Sequence, residues 1–295
     1  MNRKITRMLC AALLLLTGTE HAKAQGPKAY TLFDSKGKEV SYQQMIDQLA
    51  GCDVVFFGEN HNCPIAHWME LNVARSLYER HGDKLVIGEE MMEADNQLIL
   101  DEYMNSQISY DRFEAETRLW DNYSTDYYPV VYFAKENNIP LIATNVPRRY
   151  ANVVKNKGLL YLDSLSEEAR RYLPPLPVPF EYDEGKSSEA FGLMQLLGGR
   201  TKGDTRLIAE AQAIKDATMA WFIARNLKHK FLHINGRYHS DSRDGIIPYL
   251  LKYRPGTTIG IITTIRQESV EQLDEENLGL ADFYICVPED MVTSY

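Results

Sequence analysis

The sequence predicts an α/β fold: a mostly parallel sheet with helices on both faces and a helical insertion over the carboxyl edge of the sheet. Three observations carry that prediction. Short apolar runs recur along the chain, and they are apolar throughout rather than alternating, as strands buried on both faces are. Stretches with the period of an amphipathic helix separate them. Two of the runs also break into the same pattern, Gly-x-x-His: Gly58-Glu-Asn-His61 and Gly236-Arg-Tyr-His239. Open α/β sheets bind ligands outside the carboxyl ends of their strands, so two imidazoles delivered alike to one edge predict a site.

The first 24 residues stand apart. Arg3, Lys4 and Arg7 precede the apolar stretch Met8 to Leu16, and Ala22-Lys-Ala24 offers a small-x-small cleavage site. This is the pattern of a secretory signal peptide cut before Gln25, and the apolar stretch is too short to span a bilayer as a helix. The expected product is a single domain, 25–295, exported across the inner membrane to the periplasm, either soluble there or associated with the outer membrane. Cys10 lies inside the apolar stretch rather than just after a cleavage site, which favours a soluble protein over a lipoprotein. The full chain carries a net charge of -9; loss of four basic residues and one acidic residue with the signal takes it to -12. Such a chain is a poor binder of nucleic acid through bulk electrostatics. Cys52, Cys63 and Cys286 remain, an odd number that cannot all pair within one chain.

Six strands are expected, at Asp53–Phe57, Lys84–Gly88, Ile139–Thr144, Lys230–Asn235, Thr257–Thr263 and Phe283–Val287. Pro64 to Arg80 reads as a helix with proline in its first turn, where the missing N–H costs nothing. Ala94 to Asn105 and Tyr127 to Glu136 are also helical in period. Asp204 to Leu227 is the clearest helix, with Leu207, Ile208, Ala211, Ile214, Ala217, Met219 and Phe222 lining a broad apolar face. Residues 159–203 break the alternation with Pro174-Pro175, Pro177, Pro179 and Gly198-Gly199. A connection this long in a compact domain is usually functional, and it is read as the helical insertion.

Core strands need no polar residues at their exits, yet four exits here carry them. Glu59 and His61 follow the first strand, Glu89 and Glu90 the second, Thr144-Asn145 and then Arg148-Arg149 the third, and Tyr238, His239 and Asp241 the fourth. Imidazole with carboxylate suits divalent-metal binding or activation of water. His61, Glu90 and His239 are therefore candidate metal ligands, and with Glu59 candidate catalytic groups. Asn145, Arg148 and Tyr238 are candidate ligand-binding residues; a guanidinium fits a carboxylate or phosphate. Arg148 and Arg149 read equally well as partners in structural ion pairs. Glu89 reads as a helix-end partner and His67 as a packed or surface histidine. Trp120, Tyr123, Tyr127, Tyr128 and Tyr132 read as core that would also suit a flat apolar ligand.

The motifs, taken in order, resemble the ChaN-like family of haem-binding uptake proteins within the Tiki superfamily. The resemblance runs from about Val54 to Ile262. It rests on Gly58-Glu-Asn-His61 with His67, Glu90-Met-Met-Glu-Ala-Asp-Asn-Gln97, Trp120, Tyr128-Pro129 and Ala143-Thr-Asn145 with Pro147-Arg148. Lys215-Asp216 and Asn235-Gly-Arg-Tyr-His239 complete it. The resemblance implies haem as ligand, a role in iron acquisition, an outer-membrane haem receptor as partner, and haem held between two subunits of a homodimer by tyrosine. It singles out no particular tyrosine here. Some relatives in the wider superfamily are metal-dependent proteases or hydrolases using paired Gly-x-x-His motifs and a glutamate. That implies a second reading, a metal-dependent hydrolase built on His61, His239 and Glu90, with Glu59.

Overall fold

The computed structural model describes residues 26–183, 185 and 204–295. The segment read as a signal peptide, and most of the insertion beyond residue 183, lie outside the described residues. The sheet has seven strands: β1 (Thr31–Asp34), β2 (Val54–Glu59), β3 (Leu85–Glu93), β4 (Leu141–Asn145), β5 (Lys230–Gly236), β6 (Ile259–Gln267) and β7 (Phe283–Pro288). Their order is β1-β7-β6-β2-β5-β3-β4, and every neighbouring pair is parallel except β1 with β7. The six predicted strands are all present. The seventh, β1, is a four-residue antiparallel edge strand.

Alternate residues of the strands feed the two faces, as the two-residue period of a strand requires. Val55 and Phe57 pack into one core with Met69, Val73, Leu77, Tyr123, Tyr127 and Val131. Val54 and Phe56 pack into the other with Met219, Ile223, Ile246 and Leu250. Helices Pro64–His81 and Tyr128–Glu136 thus cover one face, and helices Thr205–Asn226 and Ile246–Tyr253 the other. Each fully buried Phe or Ile contributes about 1.5–3 kcal/mol, so both layers are needed to hold an almost wholly buried sheet. Among the described residues, no helix is long and apolar enough to cross a membrane.

The described part of the insertion holds a short 3-10 helix at Leu159–Ser164 and a helical turn at Glu167–Arg170. Leu162, Leu173 and Val178 anchor it against Val154, Ile214 and Ala217, which belong to helices Arg148–Lys157 and Thr205–Asn226.

β2 and β5 lie side by side near the middle of the sheet, with Gly58 opposite Asn235 and Glu59 opposite Gly236. The chain builds outward through β3 and β4 on one side, returns through β5, and builds β6 and β7 on the other. The carboxyl ends of β2 and β5 therefore meet where the direction of building reverses, the place where such sheets hold ligands.

Candidate functional site

A cavity of about 570 Å³ opens at that point. Glu59, His61, Glu90, Asn145, Arg148, Tyr238 and His239, the seven residues singled out from the sequence, all line it. Trp120, Lys215 and Arg266 also contribute.

The first motif places His61 with Nδ1 2.6 Å from Glu59 Oε1. Glu59 is fully buried and also accepts from the Tyr127 hydroxyl at 2.8 Å. Burial alone would raise its pKa, but the charges on His61 and His67 and the hydrogen bond from His61 hold it down to about 2. Burial works against a charged His61, yet the Glu59 carboxylate, and behind it Glu90, raise its pKa. The ring keeps Nε2 free of Glu59 and stands edge-on to Trp120, with ring centres 4.8 Å apart.

The second motif places His239 between two carboxylates. Nδ1 meets Asp216 Oδ1 at 2.5 Å, and Nε2 lies 3.2 Å from Glu90 Oε1. All three side chains are buried. Burial pulls the imidazole down, but Glu90 and Asp216 raise it to about 10, so it is an imidazolium at neutral pH. Glu90, despite burial, is held well below the usual carboxylate range by His239 and His61. Its other oxygen accepts from the Gly236 amide at 2.8 Å.

The two motif glycines are there for space, not for an unusual turn. Gly58 ends neither β2 nor its extended backbone, and Gly236 has φ -56°. A Cβ on Gly236 would come 2.7 Å from His61 Nε2 and 3.5 Å from Glu90 Oε2. A Cβ on Gly58 would come 3.0 Å from the Arg237 Cα. The first motif thus closes directly over the second, and His61 and Glu90 approach each other across Gly236.

Other expectations change. β3 does not end at Gly88 but continues to Glu93, so Glu89 and Glu90 lie within it and point to opposite faces. Glu89 enters the helix-covered core, where Tyr123 donates to it at 3.1 Å; burial raises its pKa to about 8. It is no helix-end partner. The expected metal trio His61, Glu90 and His239 is not gathered as one. Both nitrogens of His239 and the Nδ1 of His61 already face carboxylates. Among the described residues, the group whose ligand atoms all lie within 4.8 Å of one another is Glu59, His67 and Glu70.

The two arginines divide their roles. Arg149 pairs with Asp95 and stacks on Tyr150. Arg148 leaves its side chain largely exposed at the cavity rim, 3.8 Å from Glu93. Asn145 donates to the Glu90 carbonyl at 3.0 Å, while its own side-chain oxygen is buried without a partner. Sequence reasoning assigned no site role to Asp216 or Glu70. An acid on the apolar side of a helix was the readable signal for Asp216; for Glu70 it was the i,i+3 spacing from His67.

A family model described as haem-binding uptake, Tiki superfamily, ChaN matches residues 45–250. No curated protein matches the sequence. Among solved structures, the chain is similar to ChaN of Campylobacter jejuni, described by its cofacial heme binding, at 17% identity. The similarity covers 90% of this chain and 97% of that one, with a TM-score of 0.67. A Bacillus cereus protein is 12% identical over 84% of this chain and 92% of its own, with a TM-score of 0.49. An erythromycin esterase mutant in its open conformation is 14% identical over 87% of this chain and 83% of its own, with a TM-score of 0.46. The family model spans well over half of the residues, and on that ground the chain belongs to the haem-binding uptake family of the Tiki superfamily, the ChaN family.

Proposed function

We propose that this protein binds haem, and that the iron is taken by Tyr161 on the surface of the 3-10 helix Leu159–Ser164. Family membership supports the ligand; Tyr161 supports the place. Ferric iron prefers an anionic phenolate, so a useful tyrosine must be accessible and easily ionised. Tyr161 is 40% exposed, beside Leu160, which is 80% exposed. The Lys157 ammonium, 4.0 Å from its ring centre, draws the phenol below its ordinary pKa. Burial has the opposite effect on Tyr103, Tyr110, Tyr123, Tyr127 and Tyr238, which it raises. Tyr123 and Tyr127, in the aromatic cluster, are committed to Glu89 and Glu59. Beside the same segment, an open cavity of about 410 Å³ combines Leu173, Pro175 and Trp221 with Arg170, Arg171 and Arg225. Apolar walls with guanidinium groups suit a flat macrocycle bearing carboxylates.

On this reading, residues 1–24 direct export, the mature protein works in the periplasm or at the outer membrane, and it receives haem from, or passes it to, an outer-membrane receptor. A second copy would cover the outer face of an exposed haem, which makes a homodimer the holding form. The reading is tested by titrating the purified mature chain with haem and following the Soret band. Wild type should bind stoichiometrically, and Tyr161→Phe should weaken binding at least tenfold. Wild type that fails to bind ends the haem reading; Tyr161→Phe that binds as wild type ends only the placement.

A second reading, a hydrolase that acts with a metal, draws on the cavity itself. His61, oriented by Glu59, presents Nε2 to a cavity that also receives charged His239. A base or acid beside a fixed positive charge is an arrangement for activating water and stabilising an oxyanion. Haem at Tyr161 does not use these groups. Ester or peptide cleavage that survives His61→Ala would rule this reading out.

A further inference from the structure

The two oxygens of Glu59 serve different neighbours. Oε1 takes His61 and Tyr127, and Oε2 faces His67 Nδ1 at 3.1 Å. Glu70, one turn along the same helix as His67, sets its own Oε2 3.5 Å from that nitrogen. All three residues are buried, and their three ligand atoms lie within 4.8 Å of one another.

Three features distinguish this group from an ordinary buried ion pair. The first is direction. The 3.1 Å contact has the length of a hydrogen bond but not its geometry: His67 Nδ1, Glu59 Oε2 and both oxygens of Glu70 have no hydrogen-bond partner. Glu70 is wholly buried, so its carboxylate has lost water and gained no donor. The second is the far side of the imidazole. His67 Nε2 lies 3.2 Å from Asp126 Oδ2 and 3.2 Å from the His61 carbonyl, both acceptors. Both are satisfied by a proton on Nε2 and leave Nδ1 aimed at the two carboxylates, the outer-shell arrangement that orients metal-binding histidines. The third is size. Ligands about 2.0–2.2 Å from a tetrahedral ion stand about 3.4 Å apart, and the two contacts at Nδ1 are of that length.

We infer that Glu59, His67 and Glu70 form a buried site for a divalent transition-metal ion of the zinc or manganese class. One imidazole with two carboxylates suits such ions, whereas magnesium and calcium prefer oxygen alone. The ion would supply positive charge beside two close, buried carboxylates that otherwise share His67. Because Glu59 also holds His61, the ion would lock the carboxylate that aims the cavity-facing ring; Glu59 is then a positioning residue for His61. The site is separate from Tyr161 and does not rest on the haem reading.

The test uses the purified mature chain, freed of haem as judged by the Soret band, stripped with a chelator and then dialysed with Zn²⁺, Mn²⁺ or Mg²⁺. Elemental analysis should find one Zn²⁺ or Mn²⁺ per chain and far less Mg²⁺. Saturation should raise the melting temperature by about 5 °C or more. Glu70→Gln keeps the shape of the side chain and should lower metal affinity at least tenfold while remaining folded. His61→Ala, which leaves all three ligands in place, should still bind one ion. No bound ion and no melting shift with either transition metal would overturn the inference. So would stoichiometric metal that persists in Glu70→Gln but is lost in His61→Ala, which would put the ion in the cavity.

Discussion

The two Gly-x-x-His motifs are nearly identical in sequence and opposite in environment. His61 sits at a cavity wall with one nitrogen on Glu59 and the other beside Gly236. His239 is buried with a carboxylate on each nitrogen. The motif therefore fixes where a strand end sets an imidazole, while residues far away in sequence decide what that imidazole does. Asp216 comes from helix Thr205–Asn226 and Glu90 from β3, and together they convert the second histidine into a fixed positive charge. The first keeps a free face and is suited to exchange protons.

The contrast should appear most strongly in stability. His239→Ala leaves Glu90 and Asp216 buried without the cation between them. Removing one member of such a group costs about 3–5 kcal/mol, measured as a loss in urea-unfolding free energy. A cost below about 1 kcal/mol would mean that the three side chains do not form a charged unit.

The glycines offer a second contrast, about half as large. A Cβ at Gly58 meets the backbone of Arg237, which cannot yield without moving the 3-10 turn after β5. A Cβ at Gly236 meets the tip of the His61 ring, which can swing aside. Gly58→Ala should therefore cost about 1–3 kcal/mol, and Gly236→Ala less. The second variant should instead shift the His61 imidazole resonances in an NMR spectrum. Equal losses of stability with an unmoved His61 ring would contradict the close approach of the two motifs.

The pH dependence separates the motifs in another way. His239 rises from 6.5 to about 10 on folding, so its contribution to stability is whole below pH 6.5 and is lost as pH climbs through 10. Glu90 is depressed below 4.5, so its contribution is whole above pH 4.5 and is lost as pH falls further. Asp216, which also faces the ring, is raised by burial despite His239. The unit should be most stabilising between about pH 4.5 and 6.5. Unfolding free energies from pH 6 to 10 should fall more steeply for wild type than for His239→Ala. Parallel slopes would show that His239 does not stay charged in the folded state.

Much of this was legible in the sequence because apolar runs with polar exits are what a buried parallel sheet requires. All seven cavity residues named from the sequence lie on one cavity for that reason. What was hidden has physical causes. β1 is only four residues long, three of them buried, and pairs antiparallel at an edge, too short for a hydrophobic run to announce it. Helix Tyr42–Leu49 carries a capping box, Ser41 with Gln44, a start signal readable only from the pair of residues and not from a long apolar face. The extent of β3 was concealed because Glu89, Glu90 and Glu93 look like loop residues. Each is buried only because a distant partner, Tyr123, His239 or Arg118, meets it. The metal-capable group escaped for the same reason: its geometry depends on β2 and the following helix packing together.

The smallest effect expected is at His61 itself. Its removal takes one partner from Glu59, a fully buried carboxylate, which would ordinarily be costly. Two circumstances reduce that cost. Glu59 keeps the Tyr127 hydroxyl at 2.8 Å and has His67 at 3.1 Å. The side chain removed is itself about one-third exposed, so the space beside Glu59 lies open to the cavity and can admit water as a substitute donor. His61→Ala should therefore lower the unfolding free energy by about 1 kcal/mol, the ordinary net value of one hydrogen bond. Paired with His239→Ala, it makes the comparison quantitative: two histidines in one motif should differ about threefold or more in their contribution to stability. A His61→Ala variant as unstable as His239→Ala would show that Glu59 depends on His61 alone for its charge, and that the two motifs are energetically alike.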